Sequence, residues 1–121
     1  MRRDPFEFVT DAPLFVVPRM LERLRGWRDG AKLADLPGPS PSPERERLAA
    51  ALDSLGQRLV AGIAAHPSKF WVLKQFQRSL EAVREEDTEA REHFGTELER
   101  VMDILGIESA DGVLAYYLGA T

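Results

Sequence analysis

Between Leu48 and Leu105 the apolar side chains return every three or four residues. Leu48, Leu52, Leu55, Leu59 and Ile63 form one row, Leu73, Phe76, Leu80 and Val83 a second, and Phe94, Leu98, Val101 and Leu105 a third. An α-helix places residues three and four apart on one face, whereas a half-buried strand alternates with a period of two. Three helices with one apolar face each have to bury those faces against one another. The expected fold is therefore all-α, a compact bundle.

Start and stop signals agree with the rows. Ser42 can cap the first helix, Pro43 fits its first position, and Glu44 and Glu46 complement the positive helix start. His66-Pro67 ends that helix, and Pro67 can open the next behind a cap at His66 or Ser68. After the charged break "REED", Asp87 or Thr88 caps the third. Upstream, a further helix from Pro18 to about Arg28 would bury Leu21, Leu24 and Trp27. The earlier "FEFVT" alternates Phe6 and Phe8 and reads as a short strand or an irregular arm. The count is four to five helices with an irregular N-terminal arm.

The stretch "MDILGIESADGVLAYY", residues 102–117, gathers Asp103, Glu108 and Asp111 around two glycines. A calcium loop would need oxygen ligands where Leu105 and Ile107 stand, so no metal site is expected. The better reading is a helix stop at Gly106, where a left-handed residue is wanted, with Ile107 packing beneath it. Ser109 would then cap a last helix with Asp111 in its first turn. Tyr116 and Tyr117 point about 100° apart, so at most one lies fully in the core.

"LPGPSPSP", residues 36–43, sets four prolines at alternate positions. Each fixes φ and removes an amide donor, which gives an extended connector. It divides a single 121-residue domain into an N-terminal arm and helix, 1–35, and a helical core, 44–121. Without cysteine there is no disulfide, thiol nucleophile or thiolate metal ligand. No apolar run approaches the roughly 20 residues needed to span a bilayer. The opening "MRRDPFEFV" carries Asp4 and Glu7 and makes a poor signal peptide, so a cytoplasmic protein is expected.

Charge is unevenly placed. Residues 1–80 hold 13 basic and 9 acidic side chains, whereas residues 81–121 hold 3 basic and 11 acidic. An acidic half disfavours nucleic acid and favours a basic partner.

The phrases "HPSKFWVLKQFQRSL" and "MDILGIESADGVLAYYLG" resemble those of a bacterial family of small all-helical proteins known only as a domain of unknown function. The likeness covers residues of about 44–119. It implies an all-helical fold in a bacterial cell, transfers no active-site residue, and carries nothing over to residues 1–43.

Chemistry is sparse. The histidines are His66 and His93, and no metalloprotease spacing, phosphate-cradling glycine loop or nucleophile elbow is present. We expect no enzyme, no cofactor and no metal. With Phe94, Leu98, Val101 and Leu105 inward, the opposite face of that helix carries Glu85, Glu89, Glu92, Glu99 and Asp103. Like charges at this spacing cost a few tenths of a kcal/mol each, so the stripe does not serve helix stability. Asp87–Arg91 and Glu97–Arg100 have pairing spacing on its flanks. Glu89, Glu92, Glu99 and Asp103 are thus candidate contacts for a basic protein.

Trp71 and Arg78 are the second candidates. With Leu73, Phe76 and Leu80 buried, Trp71 projects outward beside Lys74, Gln75 and Arg78, and Trp and Arg are favoured interface anchors. The competing expectation is that Phe6, Phe8 and Phe15 of the arm cover Trp71. The expected function is non-catalytic protein binding; its most concrete form is an acidic inhibitor or immunity protein that neutralises a basic toxin or effector. The alternatives are a hydrolase-like or ligand-binding bundle with a pocket beside His66 or His93, and a structural homodimer.

Overall fold

The computed structural model describes residues 4–38 and 42–119. Among these it contains five α-helices, α1 (Pro18–Asp29), α2 (Pro43–Gly62), α3 (Lys69–Ala82), α4 (Thr88–Leu105) and α5 (Val113–Leu118), and no strand. The expected all-α architecture is the observed one. α1 packs on both α2 and α4, α2 pairs with α3, and α5 closes over α3 and α4. The three apolar rows are buried throughout.

α1 rotates slightly from its expected face. It buries Met20 and Leu24, leaving Leu21 and Trp27 half-buried. Of the proline-rich connector, residues 39–41 lie outside the described residues. On its near side Leu33 and Leu36 are buried in the core, and on its far side Ser42 caps α2 by accepting from the Arg45 amide at 3.1 Å.

Ser68 caps α3 through the Trp71 amide at 3.1 Å, and Asp87 caps α4 through the Ala90 amide at 2.8 Å. Pro67 does not open α3. It stands one residue before the cap, and its carbonyl accepts from the Leu14 amide at 2.8 Å. Gly106 ends α4 at φ 77°, and the Ile107 amide donates back to the Met102 carbonyl at 2.9 Å with Ile107 buried. A side chain at Gly106 would crowd the following carbonyl, the steric reason only glycine is at ease there.

Two expectations for the last turn fail. Ser109 does not cap α5; its hydroxyl accepts from the Asp111 amide at 3.0 Å, and Gly112 at φ 91° precedes the helix. Asp111 sits outside α5 at φ 50°, because its carboxylate is used elsewhere. Oδ2 accepts from Lys69 Nζ at 2.6 Å and from the Thr10 amide at 2.9 Å.

That carboxylate latches the N-terminal arm, which is irregular rather than a strand. The arm turns at residues 5–8 and meets the α2–α3 corner in one antiparallel bridge, Pro13 to Ser68. The Lys69 amide donates to the Ala12 carbonyl at 2.9 Å, and the Phe70 amide to Asp11 Oδ1 at 2.8 Å. Phe6 is buried edge-on against Phe70 at 5.3 Å, with Lys74 Nζ 4.1 Å from its ring centre.

The arm does not cover Trp71 in the way expected. Its indole stacks on the His66 ring at 5.3 Å and lies over Gly62, where a Cβ would come within 2.5 Å of the ring. Phe8 and Phe15 stay exposed.

The Lys69 hydrogen bond first, and the Thr10 amide next, hold the Asp111 carboxyl below the usual carboxylate range. A depressed pKa gives stability that is present above the unfolded value and lost as pH falls through the folded one. Wild type should therefore melt above Asp111→Asn at neutral pH, with the gap closing in strong acid. Thermal melts followed by circular dichroism across that range check it; a gap independent of pH contradicts it.

Candidate protein-binding site

α1 and α4 run antiparallel, side by side. Trp27 stands level with Glu97 and Arg23 with Asp103, and Met20 lines the same hollow as Leu105. Two rigid elements fix the spacing. Beneath them lies a polar junction that the helical pattern itself places.

Glu97 follows Phe94 by three residues and precedes Val101 by four, so it falls on the buried arc of α4 rather than on its flank. It is 2% exposed. Its Oε1 accepts from the Trp27 indole at 3.1 Å, and its Oε2 from the Leu33 amide at 3.0 Å and from Arg100 Nη1 at 2.8 Å. Leu33 is held at φ 61°, an uncommon conformation for a branched side chain. Arg45 pins the same turn from α2, donating to the Leu33 and Leu36 carbonyls at 2.8 and 2.5 Å.

Trp27 is wedged at this junction. Its ring lies close to Gly56 of α2, and Lys32 Nζ lies 4.9 Å from its centre. Of the two pairs expected on α4, only Glu97–Arg100 forms, and Glu97 is buried. Asp87 caps the helix instead, and Arg91 donates to the Tyr117 carbonyl at 3.2 Å.

On the solvent side the two helices enclose an open furrow. Its upper part, about 700 Å³, is lined by Trp27 and Ile104 with Arg23, Thr96, Glu99, Arg100 and Asp103. Its lower part, about 460 Å³, continues over Leu14, Phe15, Val17, Met20 and Leu105. Arg23, Asp103 and Ile104 belong to both, so the two hollows adjoin, with the Arg23–Asp103 pair at their boundary. Phe15 at 81% and Val17 at 50% exposure stand at its lower end. One bank carries Arg19 and Arg23, exposed on α1; the other carries Glu99 and Asp103 with Arg100 beside them, all exposed on α4.

Glu89, Glu92, Glu99 and Asp103 are all exposed on α4. Glu99 and Asp103 line the furrow, whereas Glu89 and Glu92 continue the acidic edge beyond it. Glu85 lies in the turn before α4. The acidic edge is partly neutralised, since Arg23 Nη2 reaches Asp103 at 3.6 Å with both side chains largely in solvent. Such a solvent-exposed pair contributes little to stability.

Trp71 and Arg78 belong to a different surface, the α2–α3 seam. There Arg58 donates to Gln75 Oε1, the Gln75 carbonyl, Ser79 and Ser54 at 2.8–3.0 Å. Burial first, and the neighbouring Arg78 charge next, push the Arg58 pKa down. His66 and His93 do not line the furrow.

The furrow residues Phe15, Val17, Arg23, Trp27 and Ile104 escaped sequence reasoning. The run "PLFVVP" held the available signal. Two prolines bar it from helix, and four apolar residues in a row cannot all turn inward.

Among the described residues the chain is an all-α bundle of five helices, with open, apolar-floored hollows between α1 and α4. The family model for Domain of unknown function (DUF4844) matches residues 21–120, and the chain belongs to that family. The match starts inside α1 and so includes the proline-rich connector, beyond the stretch of about 44–119 on which the resemblance rested. No curated protein and no solved structure matches the chain.

A buried donor stripped of its acceptor costs about 1–3 kcal/mol. Glu97→Leu strands the Trp27 and Leu33 donors together and should be the most destabilising change here. Trp27→Phe keeps an aromatic ring but deletes the donor and part of the packed indole, and should cost at least about 1–3 kcal/mol. Arg100→Ala should cost least, since its side chain is half in solvent. Urea unfolding of the three variants tests this order, and an Arg100→Ala loss equal to that of Glu97→Leu would contradict it.

Proposed function

We propose that this chain is a non-catalytic protein-binding module whose working surface is the α1–α4 furrow. The carrying observation is Phe15 and Val17, large apolar side chains 81% and 50% exposed at the mouth of an apolar floor. Contiguous apolar surface rimmed by charge marks interaction sites. The floor of Trp27 and Ile104 supplies the aromatic and aliphatic anchor that interfaces concentrate at their centres.

The occupant is a polypeptide that presents apolar side chains beside arginine or lysine. Its apolar side seats on Ile104 and Trp27, and its cations meet Glu99 and Asp103, with Glu92 and Glu89 extending the attraction along α4. Complementary charge steers encounter and sets register more than it adds affinity. The most concrete form of this reading is an acidic inhibitor or immunity protein covering the basic face of a toxin or effector. A cytoplasm, expected from the sequence, in a bacterial cell, as the family resemblance implies, is the setting that goes with it.

The test uses a helical peptide with a leucine face flanked by lysines, and a control with glutamates in place of the lysines. In a Trp71→Phe background the emission of Trp27 reports on the furrow alone. The lysine peptide should shift that emission saturably, and the glutamate peptide should not. Ile104→Asp should abolish the shift, and Glu99→Lys with Asp103→Lys should weaken binding by about tenfold or more. Failure to bind, or affinity indifferent to all three substitutions, overturns the proposal.

A further inference from the structure

We infer that the polypeptide seated in the furrow is a second copy of this chain, an inference that rests on the binding reading above. The required ligand is apolar side chains next to arginine. The α1 bank of the same furrow carries that combination, with Phe15 and Val17 exposed and followed by Arg19 and Arg23. Ligand and receptor lie side by side on one face, the arrangement an isologous two-fold interface requires.

The register follows from levels within one chain. A two-fold axis running along the furrow exchanges the banks and keeps every level unchanged, so α1 of one copy lies over α4 of the other. Arg23 is level with Asp103, at 3.6 Å, so it also faces Asp103 of the partner subunit. Phe15 stands at the lower end of the furrow with Leu105 and Gly106, so it comes down on the lower end of the partner subunit's furrow. Each contact is made twice. An axis across the furrow would instead stack α1 on α1 and set Arg19 against Arg23, which like charges oppose.

α1 has 12 residues and is about 18 Å long, and a face two helices wide is about 20 Å across. That is roughly 360 Å² per partner against roughly 800 Å² for a standard interface, so the dimer is weak and concentration-dependent rather than obligate.

Size-exclusion chromatography with light scattering, from about 10 μM to about 1 mM, reads the result directly. The mass should rise with concentration from the 13.6 kDa of one chain toward twice that value. Phe15→Asp should stay monomeric throughout; Phe15 is mostly in solvent, and a circular dichroism melt checks that its fold is intact. Arg23→Asp alone and Asp103→Arg alone should each be monomeric. An equimolar mixture of the two should dimerise, since every contact across the axis then joins opposite charges while the pairs inside each chain repel.

A wild-type chain that stays at one mass across the range overturns the second copy as occupant. If that monomer still takes the leucine–lysine peptide at Trp27, the binding reading stands without it; if it takes no peptide, both fall. A dimer that survives Phe15→Asp, or a mixture of the charge variants that stays monomeric, also overturns it.

Discussion

Glu97 is a buried carboxylate beneath the α1–α4 surface, and α1, the turn after it and α4 meet on its two oxygens. Taking such a charge out of water costs several kcal/mol even after relaxation, so it persists only with its lone pairs occupied. Three donors from three segments occupy them. The indole sets how close α1 lies to α4, and the Leu33 amide holds a turn whose backbone alone would relax elsewhere. The arginine balances the charge at the edge of solvent. Removing apolar surface from water drives the collapse, but it does not choose one rotation of α1 over another. Directional hydrogen bonds to a buried carboxylate do.

The furrow is a consequence of that choice. With Trp27 turned in toward Glu97, its ring becomes floor rather than core, and Ile104 stands beside it half-covered. The latch at Asp111 completes the lower end. By holding Thr10 and Lys69 it fixes the arm along the α2–α3 corner, and the arm delivers Phe15 and Val17 to the surface instead of the core. Proline at 13 and 18 keeps this segment out of the helix that follows. Two exposed apolar residues, Phe15 and Val17, are thus held in place by polar contacts some distance away.

Much of the fold was legible because burial and period coincide. Leu52, Phe76 and Leu98 lie where their spacing puts them, and Ser42, Ser68, Asp87 and Gly106 end or begin helices for local steric and hydrogen-bonding reasons. Local rules failed where a distant segment competed for the same group. Ser109 and Asp111 have the makings of a helix start, yet Asp111 is drawn to Lys69, 42 positions away. Pro67 has the makings of a first helical residue, yet its carbonyl serves Leu14. Of the candidate contacts, Glu99 and Asp103 reach the furrow, whereas Trp71 and Arg78 fall on another face, since one helix's period cannot tell which neighbour covers its second side.

What the sequence by itself determined is the set of helices, their inward faces and the acid-rich edge of α4, because each depends on residues within a turn or two of one another. Tertiary structure alone decided that Glu97 is buried, that Trp27 and Ile104 share an open furrow, and that Arg19 and Arg23 face Glu99 and Asp103 across it. Those outcomes depend on which side chains from remote segments compete for the same hydrogen bonds and the same volume, and periodicity along the chain carries no record of that competition.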